Sequence, residues 1–333
     1  MKHDMQPIAL DRHARLKLLA ESSERRAGEV TPVRWHGLLD LLSRSMSGVG
    51  AAERDWRYAL IGKARIFAWQ PSLEAIAATL SNQGLVYLCW GIPARRGWKH
   101  HAFVWMLRRA RHVLVNDVTT GEEVKAISGR IAVMVPFFID MDYFTFSPIP
   151  GRSDFLFCNG SNDRDPSLLL ALAESGFRIV WLVNDPKLKA QYEKRHPLLE
   201  LRSRISFEEL RELYQTCALN IMPSTRDTHC AGQTTCMEAL ACGAPVVIST
   251  GRTASIFSDL PSVSTVAGKE IATWITAIRD LLSDRSLAQR TEHARHILAL
   301  RCSRDRLEYS LAPFLGWGKR NWNAGHADER QTT

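Results

Sequence analysis

Short apolar runs alternate with amphipathic stretches along most of the chain, and the alternation begins after Trp56. The pattern predicts a strand at Arg65–Trp69, a helix at Leu73–Leu80 with Pro71 near its start, a strand at Leu85–Cys89 and a helix at Ala102–Arg109. It continues with strands at His112–Asn116 and Ile131–Val135. Between these two, Thr119 and Glu122 have the Thr-x-x-Glu spacing of a capping box, which predicts a helix start there. Residues 139–153, with Pro148, Pro150 and Gly151, read as an interdomain linker. The alternation then restarts with strands at Phe155–Cys158, Arg178–Val183, Leu219–Met222 and Pro245–Ser249. Helices are predicted through Leu168–Leu170, over Ser206–Gln215 (Ser206 as cap, Glu209 completing the box) and over Gly232–Cys242. Three helices, over 268–283, 285–299 and 303–313, close the pattern.

Apolar, Val/Ile-rich strands alternating with helices predict parallel sheets covered on both faces, an α/β class. Two such Rossmann-like domains are expected, 1–145 and 152–315, facing a cleft and followed by a polar tail over 316–333. Before Trp56 the pattern is less informative: residues 1–30 are polar and helix-prone, and Trp35–Leu42 is amphipathic.

Composition narrows the class. The 333 residues are 45% hydrophobic and 23% charged, the balance of a folded soluble protein. No apolar run reaches the ~20 residues that span a bilayer, and Met1-Lys2-His3-Asp4 does not begin a signal peptide. Seven scattered cysteines without a CxxC pair predict free thiols in a reducing compartment, hence a cytoplasmic location. The net charge of +8 is concentrated in the first half, at Arg25-Arg26, Arg95-Arg96, Lys99-His100-His101 and Arg108-Arg109-Ala110-Arg111. Such a surface suits solubility, anionic lipid or a phosphorylated substrate. Nucleic acid, supported by charge alone, ranks last and is not expected as a partner.

Three segments carry candidate chemistry, and each follows a predicted strand, where open α/β sheets bind ligands. In Asn159-Gly160-Ser161-Asn162-Asp163-Arg164-Asp165, Gly160 permits close backbone approach and Arg164 offers a planar charged fork to phosphate oxygens. An ordinary turn, with Asp165 capping the helix and Arg164 solvated, is the alternative. In Pro223-Ser224-Thr225-Arg226-Asp227-Thr228-His229, Asp227 or His229 is placed to touch a sugar hydroxyl, or Asp227 is a plain loop carboxylate. In Ala231-Gly232-Gln233-Thr234-Thr235-Cys236-Met237-Glu238, a small loop opens a helix whose start favours phosphate. Glu238, on the second turn, either accepts from a ribose diol or lies on a solvated face. His229, Cys230 and Cys236 match no zinc spacing, so no metal is expected, and Cys236 and Cys242 read as small core residues. In the first half, His100 and His101 precede or open a helix and are acceptor-side candidates. Trp98 to Arg111 mixes aromatic and basic residues, the composition of an interfacial helix or of an ordinary half-buried one. GxGxxG, GxxxxGK[ST] and G-x-S-x-G are all absent, which weakens NAD, P-loop and α/β-hydrolase readings.

Together these stretches resemble the retaining group 1 glycosyltransferases of the GT-B fold, family four in the usual classification. The matching segments are Asn159–Leu170, Ser206–Cys217, Ala218–Asp227 and Gly232–Val247, the last with Glu-Ala-x-Ala-Cys-Gly-x-Pro-Val-Val. Upstream, Val133–Phe144 is similar to the family's domain junction and His112–Glu123 to the strand and helix before it. The resemblance implies a nucleotide-diphosphate sugar as donor substrate and no cofactor or metal. By position, Glu238 is the second Glu of the family's Glu-x7-Glu motif and binds the donor ribose, while Arg164 meets the diphosphate. Gly160 and Asn162 line the donor, and Gly232, Gln233, Thr234 and Thr235 stand at the helix start that offers it N–H groups. The motif's first Glu falls at Cys230, and Asp227 replaces it only through a longer loop. The expected activity is sugar transfer to an acceptor hydroxyl with retention, in polysaccharide or glycolipid synthesis. A saccharide or lipid-linked saccharide acceptor is expected, with a peripheral contact at the inner membrane face. A nucleotide-sugar epimerase and a non-catalytic sugar-nucleotide-binding subunit are the alternatives.

Overall fold

The computed structural model describes residues 85–92, 97–148, 152–226 and 230–315, together with Phe67, Ala68 and Thr79. These fall into two compact units, one holding Phe138–Ser303 and the other residues 67–137 with 304–315. The expectations for residues 1–55, the tail over 316–333, Asp227 and His229 lie outside the described residues.

The smaller unit carries four parallel strands, β1 (Phe67–Ala68), β2 (Val86–Cys89), β3 (His112–Val115) and β4 (Val133–Met134), in the order β1-β2-β3-β4. Helix α1 (Trp98–Arg109) joins β2 to β3, and α2 (Val118–Ser128) joins β3 to β4. Leu85, Tyr87, Cys89, Val113 and Val115 recur at the strand period of two and meet Phe103, Met106 and Leu107 of α1. The intervening Val86, Leu88 and Leu114 are buried as well, as in a parallel sheet covered on both faces. Asp117, not Thr119, caps α2: its side chain accepts from Thr120 N at 2.8 Å and from Thr120 Oγ1 at 2.5 Å. A carboxylate one residue before the helix reaches the third helical N–H directly, so the predicted box at Thr119 and Glu122 is not used. The strand expected over Ile131–Val135 shrinks to Val133–Met134, both exposed.

The larger unit holds six parallel strands in the order β10-β9-β8-β5-β6-β7. In chain order they are β5 (Leu156–Asn159), β6 (Ile179–Leu182), β7 (Leu199–Arg202), β8 (Leu219–Met222), β9 (Val246–Ser249) and β10 (Val263–Val266). Its helices are α3 (Pro166–Glu174), α4 (Pro186–Tyr192), α5 (Phe207–Thr216), α6 (Gln233–Ala241), α7 (Arg252–Phe257), α8 (Ile271–Ser283) and α9 (Leu287–Cys302); α10 (Arg304–Leu315) belongs to the smaller unit. One core joins Leu156, Leu169, Leu172, Trp181, Trp274 and Ile278 between the sheet, α3 and α8. Both edge strands escape the sequence pattern. Leu-Glu-Leu-Arg in β7 and Val-Ser-Thr-Val in β10 are four residues long and partly exposed, too short for alternation to stand out.

Residues 139–148, read as linker, pack onto this unit. Ser147 N donates to Cys242 O at 3.2 Å, Gln215 Nε2 donates to Thr145 O at 2.8 Å, and the Arg211 guanidinium lies 4.8 Å from the Tyr143 ring. Arg152 ties the segment down. Its Nη1 donates to Tyr214 O and Cys217 O, and its Nη2 to Ser147 O and Cys242 O. The Gly of the Ala-Cys-Gly stretch is required here: Gly243 has φ +76°, and a Cβ on it would stand 2.5 Å from the Phe146 ring.

Candidate functional site

The site is built where β5 and β8 end. Beyond Asn159 the chain turns at Gly160, φ +98°, and its next residues zip onto the segment after β8. Thr225 N donates to Asp163 O at 2.9 Å and Asp165 N to Pro223 O at 3.0 Å, with Arg164 and Ser224 paired as an antiparallel bridge. Asp165 also caps α3 by accepting from Leu168 N at 3.2 Å, and pairs with Lys269 at 3.0 Å. Arg164 is therefore fixed from both sides in the sequence and cannot swing into solvent.

Its side chain is 4% exposed, which removes the solvated-turn reading. Nε donates to Asn159 O at 3.2 Å, while Nη1 is buried and has no hydrogen-bond partner. Among the described residues no carboxylate pairs with it. The guanidinium lies against the start of α6: a Cβ at Gly232 would stand 2.6 Å from Arg164 Nη2 and 2.5 Å from the Met222 methyl. Gly232, at φ +89°, is the N-cap, and among the described residues no side-chain hydrogen bond caps the helix. The first helical bond runs from Cys236 N to Gly232 O at 2.9 Å, beyond Thr234 and Thr235. Gln233 is 5% exposed and its Oε1 is unpartnered.

Two positive features thus meet with no paired carboxylate among the described residues. A guanidinium does not lose its proton, and burying it unpaired costs several kcal/mol. The start of a helix carries roughly half a positive charge of its own. Such a pairing has the electrostatics to suit an anion, and a side chain at Gly232 would collide with the Arg164 fork and the Met222 methyl.

Glu238 is 2% exposed, so the solvated-face reading fails for it too. Helix α6 is buried at Gln233 and from Thr235 through Ala241, a helix enclosed nearly all round. Tyr214 of α5, itself fully buried, donates its hydroxyl to Glu238 Oε2 at 3.1 Å and accepts from Asn159 Nδ2 at 2.8 Å. Neither Tyr214 nor the Asn159 amide stands out as a site residue in the sequence. The one signal for Tyr214 is a phenol on the apolar face of an amphipathic helix, which needs a buried polar partner.

The structure brings Arg164, Gly160, Gly232 and Gln233 together, with Thr234 and Thr235 on the same first turn of α6. Gly160 lies at ordinary van der Waals distance from the guanidinium, 3.8 Å for its built Cβ. Asn162 is exposed. His100 and His101 are in the first turn of α1 in the smaller unit, with rings 6.0 Å apart; His100 Nδ1 is buried without a partner. Cys236 and Cys242 are fully buried, as expected of core residues. Burial pushes the thiol of Cys158, beside Arg164, up to about 11. Among the described residues no group of His, Cys, Asp and Glu is arranged to hold a metal ion. No described helix is long and apolar enough to cross a membrane.

The family model described as "Glycosyl transferases group 1" matches residues 171–284, a span that includes Tyr214, Gly232 and Glu238. The chain carries a group 1 glycosyltransferase domain. Arg164 and Asn159 lie just before the matched span. No curated protein matches the chain. Among solved structures it is similar to Anabaena Alr3699/HepE in complex with UDP and glucose, with a TM-score of 0.60 and 17% identity over 73% of this chain and 74% of that one. WaaG, a glycosyltransferase involved in lipopolysaccharide biosynthesis, gives 0.61 and 12% over 93% and 97%. A glycosyltransferase from Rickettsia africae ESF-5 gives 0.59 and 12% over 89% and 86%. At these identities the likeness is one of fold, and the fold is GT-B.

Proposed function

We propose that this glycosyltransferase domain moves a sugar from a nucleotide-diphosphate sugar to an acceptor hydroxyl with retention of anomeric configuration. The observation that carries the reading is the buried Arg164, its Nη1 unpartnered, against the uncapped start of α6. The reaction breaks the bond between the anomeric carbon and a diphosphate oxygen, and the acceptor oxygen bonds to that carbon as its hydroxyl proton passes to the departing diphosphate. Negative charge grows on the leaving diphosphate as the sugar becomes oxocarbenium-like. Arg164 and the N–H groups of Thr234 and Thr235 are fixed before the reaction, so they stabilise that charge without reorganising. Glu238 accepts from the ribose diol. Asp227 is a further catalytic candidate, and Gly160, Asn162, Gly232 and Gln233 line the donor. The presence of UDP in the HepE structure, on a similar fold, supports a nucleotide in this role.

The smaller unit takes the acceptor in this reading, with His100 and His101 as candidates. A saccharide or lipid-linked saccharide, met at the cytoplasmic membrane face during polysaccharide or glycolipid synthesis, suits its basic, Trp-containing helix α1. Absence of binding to anionic vesicles at low salt refutes the membrane part. One observation favours a second reading, a sugar-nucleotide-binding subunit without turnover: Cys230 stands eight residues before Glu238, where the resemblance places a Glu. Calorimetry with UDP, GDP and ADP sugars, followed by turnover against a panel of acceptors, decides between them. Binding with turnover supports transfer, binding without turnover supports the subunit, and no binding overturns both.

A further inference from the structure

We infer that Asn159 and Tyr214 are positioning residues that set Glu238 for a ribose diol and hold it in register with Arg164. The inference rests on the donor reading of the same site. Asn159 touches both halves of that site through different atoms. Its carbonyl accepts from Arg164 Nε at 3.2 Å, on the anion side. Its side-chain amide donates to Tyr214 Oη at 2.8 Å, and that hydroxyl donates to Glu238 Oε2 at 3.1 Å, on the carboxylate side.

The fold makes this arrangement stiff. Asn159 is the last residue of β5, and Phe157, two residues earlier on the same strand face, packs edge-on against the Tyr214 ring at 5.0 Å. The Phe144 ring also lies edge-on to Tyr214, with centroids 6.5 Å apart. Tyr214 is fully buried and Glu238 nearly so, which places the bond between them in a low-dielectric setting. A phenol has one proton to give. Because Nδ2 of Asn159 fills an acceptor position on Oη, that proton is directed to the carboxylate and not to another acceptor.

Removing the Asn159 side chain leaves its carbonyl, and so the Arg164 contact, in place. The two halves of the site are therefore separable by mutation. Asn159→Leu and Tyr214→Phe are each tested by calorimetry with three probes. These are the tightest binder among UDP, GDP and ADP, its 2′,3′-dideoxy counterpart, and inorganic pyrophosphate. The unmodified protein is expected to bind the diol form better than the dideoxy form. Both variants are expected to lose about tenfold or more in affinity for the diol form, the scale of a hydrogen bond to a charged group. Their affinity for the dideoxy form and for pyrophosphate is expected to stay unchanged, so the diol preference collapses. Arg164→Met is expected to weaken all three probes together. Equal loss of pyrophosphate binding in Tyr214→Phe and Asn159→Leu, or an undiminished diol preference in both, overturns the inference while leaving the donor site standing. If Tyr214→Phe fails to fold, Asn159→Leu decides alone. No diphosphate binding by the unmodified protein, or no effect of Arg164→Met, overturns the donor reading itself.

Discussion

At the C-terminal end of α6, Arg152 gives its two Nη groups to four carbonyl oxygens, including Cys242 O, and Arg295 Nε reaches Ala241 O at 3.0 Å. At the N-terminal end, Arg164 makes one backbone hydrogen bond and keeps Nη1 buried without a partner. Burial costs both arginines, and each leaves one buried nitrogen unpartnered (Nε in Arg152, Nη1 in Arg164), but Arg152 is offset by four carbonyls and Arg164 by one. Carbonyls at a helix end attract a cation, whereas N–H groups at a helix start repel one. Arg152 is thus explained by the fold alone. Arg164 has no such local compensation, and its proposed role at the donor diphosphate rests on that difference between two arginines at opposite ends of one helix.

Exchanging each arginine for methionine breaks the comparison most directly. Arg164→Met is expected to lower turnover about 10²–10³-fold, the usual loss for one preorganised donor, with the unfolding midpoint unchanged or higher because an unpaired buried charge is gone. Arg152→Met is expected to destabilise by about 2–4 kcal/mol, because buried carbonyls lose their donors, with activity per folded molecule retained. Chemical denaturation beside a rate assay checks both; loss of stability in Arg164→Met and loss of rate in Arg152→Met would reverse the assignments.

Ligand linkage sharpens the contrast. A nucleoside diphosphate at about 100 times its Kd is expected to stabilise the unmodified protein by about 2.7 kcal/mol, and Arg152→Met by as much, but not Arg164→Met. Thermal shift measures all three. The two glycines flanking α6 give a smaller effect. Gly243→Ala, with φ +76° and the Phe146 ring in the way, is expected to cost about 1–3 kcal/mol of stability. Gly232→Ala pushes on the Met222 methyl and the Arg164 fork, so it is expected to weaken diphosphate binding beyond any change in stability. Equal binding by the two variants would show that Gly232 serves the backbone only.

Much of the candidate site was legible from the chain itself. Arg164, Gly160, Gly232 and Glu238 stand out because each follows a strand in a segment rich in small and polar residues, and strand ends are where open α/β sheets leave room for ligands. The alternation of apolar runs likewise gave the parallel sheets and all but the short edge strands. The solvated alternatives for Arg164 and Glu238 were not removable at that level, since a charged residue reads the same in a sequence whether it is buried or exposed.

Periodicity and turn residues act over a few neighbours, and they determined the α/β class, the order of the main elements and the stretch that opens α6. Burial of Arg164, the contact of its fork with Gly232, and the relay from Asn159 through Tyr214 to Glu238 were decided only in three dimensions. Those partners lie 55 and 24 residues apart in the chain. They meet because β5, α5 and α6 pack side by side, and no local pattern encodes which polar groups that packing leaves satisfied and which it leaves unpartnered.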